Sequence, residues 1–70
     1  MRKLYYVIEV ELDGAIISGI KFITVYEIIE NVPTRFFDVE IAYEDSSEDA
    51  INNYLNDNGY GDETFELIQL

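Results

Sequence analysis

The side chains able to do chemistry in this chain are carboxylates, hydroxyls and amides, because its 70 residues include no cysteine and no histidine. Disulfides, thiolate nucleophiles, imidazole bases and the usual zinc sites are thereby excluded, and most catalytic templates go with them. One stretch, Asn56-Asp57-Asn58-Gly59-Tyr60-Gly61-Asp62-Glu63, combines oxygen ligands with glycines as a calcium loop does. Its spacing fails. With Gly61 at the glycine position, Tyr60 falls where a ligand belongs and Leu67 where the bidentate glutamate should be; with Gly59 there, the loop would begin at Tyr54. The stretch reads instead as a helix cap followed by a turn, and neither a metal nor a cofactor is expected. The carboxylate pairs Glu9 with Glu11 and Asp38 with Glu40 fall on outward strand positions, where water solvates them and no cleft tunes them for acid–base work. The expectation is a protein that is not an enzyme.

What remains is charge. Fifteen acids against four bases give a net charge of −11, and the distribution is uneven. From Met1 to Arg35, five acids face four bases; from Phe36 to Leu70 there are ten acids and no base. A field of that sign repels a polyanion, so no direct contact with nucleic acid is expected even though Tyr5, Tyr6, Phe36 and Tyr43 could stack on bases. The same field suits a protein that occupies a basic, nucleic-acid-binding surface of another protein. Alternate strand residues lie roughly 6.6 Å apart, so Asp38 and Glu40 form a short row of charge. Glu44, Asp45, Glu48 and Asp49 extend it, and these six are the candidate partner-binding residues.

The elements that must carry them follow from periodicity. Leu4, Tyr6, Ile8, Val10 and Leu12 alternate with Lys3, Tyr5, Val7, Glu9 and Glu11, which makes a strand with one buried face. Asp13-Gly14 is a two-residue hairpin signal, so a second strand returns antiparallel, with a bulge or break at Ser18-Gly19 and its main run from about Ile20 to Ile29. Asn31-Val32-Pro33-Thr34 reads as the next turn. A third strand follows, with Phe37, Val39, Ile41 and Tyr43 on its apolar side and Asp38, Glu40 and Ala42 on the other. Asp45-Ser46-Ser47-Glu48-Asp49 is dense in capping residues and opens a short amphipathic helix with Ala50, Ile51, Tyr54 and Leu55 on one stripe. Asn58-Gly59 ends it, and Thr64 to Leu70 closes the chain as a strand. The predicted fold is α+β over a single domain, residues 1–70: a small, mainly antiparallel sheet in the order β-β-β-α-β along the chain, with one helix packed on it.

The second strand is apolar on both faces. If Phe22, Tyr26 and Ile28 lie beneath the helix, then Ile23, Val25 and Ile29 need other cover, which predicts a homodimer formed through the sheet. No apolar run is long enough for a membrane span or a leader, so a cytoplasmic location is expected, that of the host cell if the protein is viral.

The stretch Phe37 to Leu67 contains a strand Val39-Glu40-Ile41-Ala42, a capped helix start Ser46-Ser47-Glu48-Asp49-Ala50 and a closing strand Phe65-Glu66-Leu67. It resembles the small strand-helix-strand proteins by which bacteriophages inhibit host RNA polymerase, and is similar to several equally small anti-CRISPR proteins. The resemblance implies a class: small, acidic, non-catalytic proteins that block a larger host nucleic-acid machine. The alternative left open by the residues is a structural or assembly module that forms a homo-oligomer through its sheet edges, its charge serving solubility.

Overall fold

The computed structural model describes residues 1–12 and 19–70, apart from the side chains of Glu11 and Leu12. The chain runs β1 (Arg2–Leu12), β2 (Gly19–Ile29), β3 (Val32–Ala42), α1 (Ser47–Asp57) and β4 (Phe65–Gln69). The four strands form one mixed sheet in the order β3-β2-β1-β4. β1 pairs antiparallel with β2, β2 antiparallel with β3, and β4 lies parallel beside β1. The fold is therefore α+β, with the expected order of strands and helix. β3 and β4 become the two edges because a helix of three turns carries the chain across both central strands before β4 can pair.

The core lies between α1 and one face of the sheet. Leu4, Ile23, Val25 and Ile51 are fully buried, with Tyr6, Phe37 and Leu55 almost so. Each of these aliphatic side chains contributes about 1.5–3 kcal/mol on leaving water. Alternation on β1 turns Leu4, Tyr6 and Ile8 to the helix, and the register sets Tyr6 opposite Val25 and Ile8 opposite Ile23. This assignment corrects the expected faces of β2. Ile23 and Val25 are covered by α1 within the protomer and cannot serve as a surface for self-association, whereas Ile29 is half exposed at the end of the strand. Phe22, Tyr26 and Ile28 lie on the opposite, open face.

The β2–β3 connection also differs from the periodicity reading. The β2–β3 turn is Glu30-Asn31, both at positive φ (53° and 66°), and Ile29 pairs with Val32 across it. A two-residue hairpin demands that backbone, and asparagine tolerates it well. Pro33 and Thr34 consequently belong to β3. Because the pair flanking such a turn is hydrogen-bonded, the Pro33 nitrogen faces the open edge, where a missing N–H costs no ladder bond. The irregularity in pairing falls between Val25 and Tyr26, which face Phe37 and Arg35, so Phe36 is the extra residue of a β-bulge. The signals at Asp13-Gly14 and Ser18 lie outside the described residues; the strand ends flanking them pair Leu12 with Gly19.

Ser46 is the N-cap of α1, its hydroxyl accepting from Asp49 N–H at 3.3 Å, with Glu48 and Asp49 in the first turn where the helix dipole favours negative charge. Asn58 caps the other end and Gly59 follows at φ +89°, a conformation natural only to glycine. Among the described residues no helix is long and apolar enough to cross a membrane.

Candidate interaction surface

β3 presents its outer edge to solvent, and the hydrogen bonding shows which residues supply it. Tyr43 donates its N–H to Gly19 O at 2.9 Å, so odd-numbered residues at this end of β3 turn their backbone groups toward β2. Asp38, Glu40 and Ala42 turn theirs outward. The Ala42 carbonyl is taken up by Asp45 N–H at 3.0 Å as the chain leaves the strand, while among the described residues the outward backbone groups of Asp38 and Glu40 have no backbone partner.

Side chains line both flanks of this edge. On the open face of the sheet, Asp38 stands beside Thr24 and Glu40 beside Phe22. Asp38 pairs with Arg35 across the bulge, an exposed contact of small energetic value. On the helix side, a groove of about 470 Å³ runs between β3 and α1, floored by Val39, Ile41, Ala50 and Tyr54 and bordered by Asp45 and Asp49. Tyr54 is held in place by stacking on Phe37, ring centroids 4.0 Å apart and 13° from parallel.

The six acids expected to form one row are thus divided. Asp38 and Glu40 form one bank, Asp45 and Asp49 the other, and the strand edge lies between them. Glu44 is exposed in the intervening turn. Glu48 is exposed but reaches the edge of the core, where its Oε2 accepts from the Tyr6 hydroxyl at 3.5 Å; the pKa of Tyr6 is raised, first by burial and then by the charge of Glu48. The sequence reading also missed Lys21, whose Nζ donates to the Asp45 carbonyl and places one positive charge at the helix start. Its strand pairing, opposite Ile41, is a long-range fact that periodicity does not carry.

A second feature went unread: the cluster around Arg2. Its guanidinium donates from Nε and Nη2 to the two oxygens of Glu27 (2.8 and 2.9 Å) and from Nη1 to both oxygens of Glu63 (3.1 and 2.9 Å). Its Cζ lies 5.1 Å from the centre of the Phe65 ring and 5.9 Å from those of Phe36 and Tyr60. The hydrogen bonds to Glu27 raise the arginine pKa further, and the same bonds lower that of Glu27. Glu63, the last residue of the Asn56–Glu63 stretch, is engaged in this clamp.

The open face carries the third feature. Tyr5, Val7, Tyr26, Ile28, Pro33 and Leu70 border an apolar depression of about 580 Å³ at the end of the sheet away from the helix start. Among the described residues, no three acids gather closely enough to hold a metal ion. The arrangements are carboxylates along one sheet edge and an apolar surface on the face beside it. No family model matches this chain, no curated protein is significantly similar to it in sequence, and no solved structure is significantly similar to it in fold.

Proposed function

We propose that this domain is a non-catalytic acidic protein-binding module, a phage-type inhibitor that occupies a basic nucleic-acid-binding surface of a host protein by presenting charge as a nucleic acid does. The supporting observation is the pair of carboxylate banks along β3 and the start of α1, Asp38 and Glu40 on the strand with Asp49 in the first turn of the helix and Asp45 just before its N-cap, all four exposed. Rigid placement matters because charge held in a fixed pattern orients a partner without the entropy cost of ordering flexible side chains on contact. Glu44 and Glu48 add to the field.

The test is capture from lysate at low and high salt, with duplex DNA as competitor. The captured proteins should be nucleic-acid-binding, released by added DNA, and lost when Asp38, Glu40, Glu44, Asp45, Glu48 and Asp49 are reversed to lysine. Undiminished capture by the folded, charge-reversed protein would contradict the proposal.

The apolar depression on the open face favours a second reading, an assembly module that forms a homodimer through this face with its charge serving solubility. Sedimentation equilibrium separates the two: the assembly reading requires a mass that rises with concentration and falls back on Ile28→Lys.

A further inference from the structure

We infer that the partner contributes an extended basic segment, which adds to the outer edge of β3 as a fifth strand of the sheet. The inference rests on the reading of the domain as an acidic protein-binding module and names the element of the partner that it takes.

Three observations converge. β3 is 11 residues long and, among the described residues, has a strand on one side only. The outward backbone groups of Asp38 and Glu40 lack backbone partners among the described residues, the arrangement to which another chain adds by main-chain hydrogen bonds. The groove between this edge and α1 provides room for the side chains that such a strand would turn toward the helix.

The chemistry of the added strand follows from the pleat. Its residues opposite Asp38 and Glu40 put their side chains on the open face beside those carboxylates, where lysine or arginine is favoured. The intervening residues point into the groove floored by Val39, Ile41, Ala50 and Tyr54, where an aliphatic side chain fits under the charges of Asp45 and Asp49. The segment therefore alternates basic and aliphatic residues. A second copy of this chain does not meet the requirement. Antiparallel pairing of two β3 strands about Val39 sets Asp38 of one against Glu40 of the other, and like charges directly opposite are destabilising. The acids that reject self-pairing are the ones that accept a basic strand.

The probe is a synthetic alternating lysine–valine peptide of roughly nine residues, long enough to cover this part of β3. Its control is the same peptide N-methylated at every residue, which keeps the charge and removes the strand's donors. The unmodified peptide should bind and slow hydrogen exchange at the amides of Asp38 and Glu40, and the control should bind about tenfold more weakly or worse, as the loss of one or two net hydrogen bonds requires. Glu40→Pro should weaken binding well beyond Glu40→Gln, since both remove the charge but only proline removes the outward N–H. Equal binding of the two peptides, without slowed exchange, would overturn strand addition and leave the acidic module standing. Binding of neither peptide at low salt would overturn both. The peptide comparison uses the unaltered protein, so it decides the matter even if Glu40→Pro fails to fold.

Discussion

Arg2 and Glu27 meet through two parallel hydrogen bonds, Nε to Oε2 at 2.8 Å and Nη2 to Oε1 at 2.9 Å, tying the start of β1 to the far end of β2. The third nitrogen, Nη1, holds Glu63 from the turn before β4, so one side chain joins the two central strands to the approach of an edge strand. Arg2→Lys cannot reproduce a fork that serves two carboxylates at once. We expect Arg2→Ala to cost about 1–2 kcal/mol in urea unfolding, tempered by the partial exposure of the site, and Arg2→Lys to recover less than half of that.

The same pair sets the acid limit. Glu27 has a folded pKa below its unfolded value because the Arg2 hydrogen bonds favour the carboxylate. Its contribution is present above the unfolded pKa and is lost as pH falls through the folded one. Melting temperature should therefore decline as pH drops below the ordinary carboxylate range, and Glu27→Gln should flatten that decline while lowering stability at pH 7.

Tyr6 sets the alkaline limit with the opposite sign. Burial and the Glu48 charge raise its pKa, so the unfolded chain ionises first and stability falls once pH passes the ordinary tyrosine value of 10.0. Tyr6→Phe keeps the ring and removes the titration. Its melting temperature should be nearly unchanged at pH 7 and should fall less steeply than that of the unmodified protein at high pH.

The two faces of β2 should respond differently to truncation. Ile23 is fully buried under α1, and Ile23→Ala should cost about 2–4 kcal/mol by emptying a packed site. Ile28, 45% exposed on the open face, should tolerate Ile28→Ser within about 0.5 kcal/mol. The reverse ranking in chemical denaturation would mean that the helix covers the other face.

Gly59 isolates a backbone effect. A Cβ built there meets nothing within 4 Å, so Gly59→Ala introduces no clash, yet φ of +89° remains costly for any L side chain. We expect a loss of about 1 kcal/mol, measured by thermal unfolding, with no change in the partner surface.

Local chemistry was sufficient for the elements and insufficient for their arrangement. The alternation in β1 and β3, a capped helix start within Asp45–Asp49, the stripe of Ile51 and Leu55, and the stop at Asn58-Gly59 depend on neighbours within a turn or a pleat, and the sequence alone determined them; that Ser46 is the cap was decided by the structure. β2 shows the limit: with isoleucine, valine, phenylalanine and tyrosine on both faces, nothing local says which face meets the helix. The register decides it, by setting Ile23 and Val25 opposite Ile8 and Tyr6. That register, which also pairs Leu12 with Gly19, is a relation between strands that no local signal carries. The sequence also determined that the second half of the chain would be strongly acidic. Only the tertiary structure decided that β3 is an edge, that its acids fall into two banks, and that Arg2 reaches Glu27 and Glu63, 25 and 61 residues away. Each of these depends on which strands lie side by side, a choice made by the burial of whole faces and not by any local preference of the chain.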